Sequence, residues 1–176
     1  MLYTKSITSP LGPLFLASDG TAITGLWLEH QKYFGSTLTG TPEECSNLLV
    51  FKEAEAWLAA YFAKAPLPAL PPLVPQGSPF RQAVWHLLSE IPCGTVTTYG
   101  ELASKLRENG IPAAPQAVGG AVGHNPISIL IPCHRVVGTN GSLTGYAGGI
   151  EKKQFLLELE GVDMAGLHVP KKGTAL

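Results

Sequence analysis

The sequence predicts an α/β protein in two parts: a small N-terminal β-sheet packed by one helix, then a mainly helical C-terminal domain with a helix-turn-helix and a candidate active-site cysteine. Three observations predict it. Short apolar runs separated by turn signals open the chain. Six of the 15 prolines crowd between Ala65 and Pro79. Beyond them, apolar residues recur at helical spacing behind N-capping residues.

Taken in order, the strands are Leu2 to Thr8, Leu14 to Ala17 and Thr21 to Leu28, with turns at Ser9-Pro10-Leu11-Gly12 and Ser18-Asp19-Gly20. Asp-Gly between apolar runs is a strong hairpin signal. Thr41-Pro42-Glu43-Glu44 reads as an N-cap, a first-turn proline and a capping-box glutamate, opening a helix whose apolar face is Leu48, Phe51, Ala54, Leu58 and Tyr61. Trp27, Trp57 and Tyr61 read as core. The prolines at 66, 68, 71, 72 and 75 can sustain neither a helix nor a central strand, so they mark a linker. The expected domains are therefore 1–65, a linker over 66–77, a second domain over 78–161 and a C-terminal tail over 162–176.

In the second domain Ser78-Pro79 caps a helix with Phe80, Val84, Leu87, Leu88 and Ile91 on its apolar face, closed by Cys93-Gly94. Thr98-Tyr99-Gly100-Glu101 is a capping box that opens a helix through Leu102, Ala103 and Leu106. After Asn109-Gly110 a third helix is expected at roughly Ala113 to Gly123, and the pair has the outline of a helix-turn-helix. Ile129-Leu130-Ile131 with Pro132 reads as a buried strand that ends abruptly at the Cys133 thiol. The last helix, about Ile150 to Leu159, is expected to present Phe155, Leu156 and Leu159 to the core and to end at Gly161. Lys171-Lys172-Gly173 reads as a frayed tail.

A chain of 176 residues that is 45% hydrophobic can bury one good core or two small ones, which excludes general disorder. No apolar run reaches the roughly 20 residues of a membrane span, and the first residues lack a signal-peptide core, so a cytoplasmic protein without membrane contact is expected. Cys45, Cys93 and Cys133 are an odd number without a CxxC pair, which fits free thiols in a reducing compartment. The histidines and cysteines show no ligand spacing, so neither a metal nor a cofactor is expected. The formal net charge is −1, and residues 78–161 balance six basic against six acidic side chains. Phosphate neutralisation would give modest affinity for nucleic acid, leaving backbone N–H groups and helix N-termini to hold phosphates.

Chemistry concentrates in Ile131-Pro132-Cys133-His134-Arg135-Val136-Val137-Gly138, where a thiol stands beside an imidazole. A thiol reacts as its thiolate, and an adjacent base makes that species available near neutral pH. On an extended strand consecutive side chains point to opposite faces, so the pair can cooperate only if the chain turns here. Taken alone, the pair also reads as a buried structural cysteine followed by an incidental histidine.

The longer stretch Asn125-Pro126-Ile127-Ser128-Ile129-Leu130-Ile131-Pro132-Cys133-His134-Arg135-Val136-Val137-Gly138 resembles the active-site signature of the O6-alkylguanine-DNA alkyltransferases, or methylated-DNA-protein-cysteine methyltransferases. The resemblance continues through Gly145-Tyr146-Ala147-Gly148-Gly149 and Leu156-Leu157-Glu158-Leu159-Glu160-Gly161, and upstream covers Ser78-Pro79-Phe80 to Tyr99-Gly100-Glu101-Leu102-Ala103. It implies irreversible, single-turnover transfer of a methyl or alkyl group from O6-alkylguanine in duplex DNA, with O4-alkylthymine as a second candidate lesion, by a monomer.

By that resemblance Cys133 attacks the alkyl carbon, His134 takes the thiol proton through a water, and Glu160 orients His134. Asn125 holds the turn around the site, and Tyr99 donates a proton or hydrogen bond to the departing guanine. The Val136 carbonyl and the Ala147 N–H read the base edge, with Tyr146, Gly148 and Gly149 as pocket wall. Gln116, Ala117, Gly119, Gly120 and Arg135 are the implied DNA contacts. The target base must leave the stack to be reached. In the motif Pro112 to Gly120 the family usually has an arginine that fills the gap left by the flipped base, and here Gln116 stands in its place after Pro115. Three alternatives stand beside this reading. One is a lesion-binding, non-catalytic relative, in which the nucleophile is typically tryptophan. Another is a cysteine hydrolase using the same three side chains, and the third is a plain DNA-binding module.

Overall fold

The computed structural model describes residues 1–171, which divide into two units. The first is Met1–Gln76 together with Pro126–Leu130; the second is Gly77–Asn125 with the chain from Ile131 onward. Lys172 and Gly173 of the expected tail lie outside the described residues.

In the first unit β1 (Tyr3–Ile7), β2 (Leu14–Ser18) and β3 (Ile23–Leu28) form an antiparallel meander, and β4 (Glu43–Glu44) adds to β1 in parallel, giving the order β3-β2-β1-β4. The helix expected from Thr41 starts later. The N–H groups of Glu43 and Cys45 donate to the carbonyls of Leu2 and Thr4, so the open edge of β1 captures this segment and overrides its local capping signal. Helix α1 (Leu49–Phe62) then begins without a side-chain cap, and buries Val50, Phe51, Ala54, Trp57, Leu58 and Tyr61 at helical spacing. They pack with Leu14, Leu16, Ile23, Leu26 and Leu28 in the core. Gly25 has a steric reason: the Trp27 ring lies over it, and a Cβ there would sit 2.0 Å from a ring carbon.

The outer edge of β3 is covered by two segments from elsewhere in the chain. Pro72 and Val74 bond to Ile23, so the proline-rich stretch runs along the sheet here. Pro126 and Ser128 bond to Leu26 in the same way. The Pro72 and Pro126 carbonyls only accept in these pairs, a role proline can fill. The buried Gln31 carboxamide oxygen accepts from both the Leu28 N–H and the Ser128 hydroxyl. The expected strand at Ile129 is therefore a turn. Ile129 sits at φ 69°, and beyond the single bridge of Ile127 to Leu26, Ile129 and Leu130 are apolar because they are buried in this unit, not because they pair as a strand.

The second unit packs α2 (Pro79–Ser89) and α3 (Tyr99–Glu108) against α4 (Pro115–Gly123). Ser78 Oγ caps α2 by accepting from the Arg81 N–H, and the Trp85 indole donates to the Ala121 carbonyl at 2.8 Å. Thr98 and Glu101 form both halves of the capping box of α3. Helix α4 starts two residues later than its expected Ala113, since Ala114, held extended before Pro115, is its N-cap. The turn between α3 and α4 is stapled by Arg107, which donates to the Ala113 carbonyl at 2.7 Å.

A short parallel pair, β5 (Thr97–Thr98) with β6 (Val136–Val137), precedes α5 (Ile150–Leu159). The buried face of α5 differs from expectation: Phe155 is exposed, and Lys153, Leu156 and Leu157 are buried. Residues 153, 156, 157 and 160 follow the i, i+3, i+4, i+7 stripe, so two charged residues bracket the core face that an apolar-only pattern places elsewhere. From Val162 to His168 the chain is held in place. Val162 joins Val137, Leu143 and Leu157 in a core cluster, and His168 pairs with Gly141 and Leu143.

Candidate active site

Every residue of the candidate site lies in the second unit. Cys133–Arg135 form a single 3₁₀ turn after Pro132, so the chain does bend where Cys133 and His134 adjoin. Cys133 is 4% exposed. Burial pushes its thiol pKa up, while hydrogen bonding from Asn125, the Lys153 ammonium and the nearby backbone N–H groups pull it down. Asn125, itself buried, also donates to the Ile131 carbonyl at 2.9 Å, two residues before the thiol. One carboxamide therefore fixes both the turn and the sulfur.

His134 is fully buried, and its Nε2 lies 2.6 Å from Glu160 Oε1. Burial lowers the imidazole pKa against the pull of Glu160, which favours the neutral ring. Burial alone would raise the Glu160 pKa. Hydrogen bonds from His134 and Arg135 outweigh it and hold the carboxyl well below the usual carboxylate range. A neutral ring beside a carboxylate carries its proton on Nε2 and donates it to Glu160. That assignment leaves a lone pair on Nδ1, which is buried and bonds to no group among the described residues. His134 is thereby arranged as a base whose far side is already oriented.

Arg135, expected at the DNA, is instead 8% exposed, and its guanidinium is committed within the protein. Nε and Nη2 donate to Glu160 at 2.9 and 2.8 Å, and Nη1 donates to the Ile91 carbonyl at 2.6 Å. This bidentate pairing neutralises a carboxylate whose side chain is only 1% exposed. Cys93 lies beside the same pair, and burial followed by the Glu160 charge raises its thiol pKa.

Around the thiol, Tyr146 is 8% exposed, its ring meets His134 edge-on at 6.4 Å, and its buried hydroxyl bonds to no group among the described residues. Ala147, Gly148 and Gly149 continue from it toward α5 with partly or fully exposed backbone, and Gly149 sits at φ 99°. The Tyr99 hydroxyl donates to the Thr144 carbonyl at 3.1 Å, and burial raises its pKa, so it is held as a proton donor. Gln116 and Ala117 are exposed on the first turn of α4 and Gly120 is partly so, whereas Gly119 is buried.

Sequence reasoning missed Lys153. Its side chain is fully buried, and its ammonium donates to the Val136 carbonyl and, at 3.0 Å, to the Thr144 carbonyl. Burial lowers its pKa to about 8. The signal was present in the spacing of 153 and 160 on one helical face, but a lysine next to Lys152 reads as solvated. Among the described residues no cluster of His, Cys, Asp and Glu could hold a metal ion. No helix among them is long and apolar enough to cross a membrane.

A buried thiol backed by a histidine–carboxylate pair, on a unit with helix-turn-helix order, defines a narrow class. Residues 79–162 match the DNA binding domain of 6-O-methylguanine DNA methyltransferase, and residues 2–73 match its ribonuclease-like domain. The chain belongs to the 6-O-methylguanine DNA methyltransferase family. The methylated-DNA–protein-cysteine methyltransferase of Mycobacterium tuberculosis strain H37Rv is 44% identical over 91% of this chain and 93% of that relative. Its counterpart in Methanosarcina acetivorans is 42% identical over 91% of this chain and 99% of the relative. The crystal structure of Mycobacterium tuberculosis OGT in complex with DNA matches with a TM-score of 0.76 at 43% identity, covering 90% of this chain and 92% of that one.

Proposed function

We propose that this protein repairs DNA by transferring the methyl or alkyl group of O6-alkylguanine to Cys133, once per molecule. The observation that carries the proposal is the buried Cys133 turn followed by a neutral His134, with Nε2 committed to Glu160 and Nδ1 uncommitted. In the reaction a C–S bond forms as the bond between the alkyl carbon and O6 breaks. The thiol proton passes by way of a water to His134 Nδ1, and Glu160 stabilises the resulting imidazolium. Guanine leaves neutral by taking the Tyr99 proton, and the thiol proton held on the His134 imidazolium returns to Tyr99 by way of water. The product is a thioether, which water does not hydrolyse, so the molecule is spent after one event.

Asn125 keeps the turn, while the Val136 carbonyl and the Ala147 N–H read the base, with Tyr146, Gly148 and Gly149 around it. Arg135 serves this site by neutralising Glu160, not by touching phosphate. The partner is duplex DNA carrying the lesion, met by Gln116 and Ala117 on the exposed first turn of α4 and by the partly exposed Gly120 in its second. The compartment we assign is the cytoplasm, where three free cysteines stay reduced. Counting restored guanine against protein in duplex DNA carrying O6-methylguanine tests the proposal. A plateau at one guanine per protein is expected, and continued turnover would point to a hydrolase.

Gln116 gives a second expectation. It is exposed on α4, and glutamine is shorter than arginine and carries no charge. It therefore compensates less of the few kcal/mol that unstacking a base costs, so Gln116→Arg is expected to speed repair in duplex DNA by about tenfold. Gln116→Lys restores the charge without the planar group and should recover less. Equal single-turnover rates in all three proteins would remove Gln116 from the gap.

A further inference from the structure

We propose that Lys153 is a positioning residue that sets the spacing between the two backbone segments flanking the thiol, and that it keeps the Thr144 carbonyl satisfied when the Tyr99 hydroxyl leaves it for the base. The proposal rests on the alkyltransferase reading and deepens it. Lys153 projects from the first turn of α5, where its own N–H donates to the Gly149 carbonyl. Its fully buried ammonium reaches two carbonyls from separate parts of the site. One belongs to Val136, which the proposed reaction uses to read the guanine edge. The other belongs to Thr144, two residues before Tyr146 of the pocket wall. A single cation thus clamps the two segments between which a base would lie.

The Thr144 carbonyl accepts from a second donor, the Tyr99 hydroxyl at 3.1 Å. This shared acceptor matters because the proposed reaction requires Tyr99 to donate to guanine instead. A carbonyl stripped of its partner inside a protein is costly, which would oppose the move. With Lys153 already on the other lone pair, the carbonyl stays bonded and Tyr99 can disengage at little cost. A buried lysine is itself unfavourable unless its ammonium is hydrogen-bonded, and no carboxylate pairs with Lys153 among the described residues. The two carbonyls hold it, and a thiolate on Cys133 would add to them. Simple core packing would be served better by an apolar residue of similar length.

The test is a double-mutant cycle on Lys153→Met and Tyr99→Phe. Methyl transfer from duplex DNA carrying O6-methylguanine is measured under single-turnover conditions at saturating protein. Lys153→Met is expected to slow transfer by about a hundredfold, the scale of a misplaced reacting group. The double variant is expected to be much faster than the product of the two single effects, because both residues act through one carbonyl. In Lys153→Ala, added propylammonium should recover part of the rate. Parental rates in Lys153→Met, or two effects that simply multiply, would overturn the inference.

A second measurement needs no Lys153 variant and so survives a failure of those proteins to fold. In the parental protein the ¹⁵N signal of the Lys153 ammonium should exchange slowly with water and should shift in Tyr99→Phe. A fast-exchanging signal, unmoved by Tyr99→Phe, would overturn the clamp. If the parental protein transfers no methyl group, the alkyltransferase reading falls instead, and the ammonium signal still decides whether Lys153 and Tyr99 share the carbonyl.

Discussion

Replacing Arg135 by leucine is expected to cost about 3–5 kcal/mol of folding stability, the scale for breaking a buried ion pair from one side. The guanidinium makes two hydrogen bonds to Glu160 and one to the Ile91 carbonyl, and the Glu160 side chain is 1% exposed. Leucine leaves that buried carboxylate without its cation, and the Ile91 carbonyl without this donor. The pH dependence gives the sign. Glu160 has a folded pKa held below its unfolded value, so its contribution is present above the unfolded value of about 4.3 and is lost as pH falls through the folded one. The deficit of Arg135→Leu should therefore be largest at neutral pH and should narrow in acid, where a protonated Glu160 no longer needs the cation. Urea unfolding at pH 7 and at steps down to pH 2, below the unfolded value and toward the folded one, measures both. A loss below about 1 kcal/mol at pH 7 would mean that the pair behaves as a surface bridge.

For catalysis the largest expected losses beyond Cys133 itself come from His134→Ala and Glu160→Gln. General-base assistance is worth about 10²–10⁴-fold, so His134→Ala should slow transfer by that range at saturating lesion DNA. Glu160→Gln removes the charge that stabilises the imidazolium and should fall at the lower end. Neither side chain is exposed, since His134 is fully buried and the Glu160 side chain nearly so, and DNA affinity should stay within a few-fold of the parent. Transfer at the parental rate in either variant would break the proposed relay.

How much of this was legible in the sequence depended on whether the governing interaction was local. The hairpin turn at Asp19-Gly20, the cap at Ser78, the capping box of Thr98 and Glu101 and the limits of α5 all follow from neighbours in the chain, and each could be read directly. Glu43–Glu44 could not, because its pairing with Tyr3–Thr4 spans some forty residues and defeats a good local N-cap. The same holds for Pro126–Leu130, whose apolar run reflects burial against Leu26 and Gln31 in the first unit. In the site itself, the bend at Cys133 was anticipated from Pro132. The partners of Arg135 and Lys153 were not, since a sequence marks a cation without saying whether it meets water, a carboxylate or a carbonyl.

The central claim is that Cys133, alone among the cysteines, accepts one alkyl group, because only its thiol adjoins an oriented neutral histidine. Intact and peptide mass spectrometry after incubation with duplex DNA carrying O6-methylguanine tests it most directly. The account predicts one added methyl group per protein, on the peptide that contains Cys133, with Cys45 and Cys93 unmodified. Methylation of Cys93 or Cys45 in place of Cys133, or an unmodified protein after the lesion has disappeared, would contradict it.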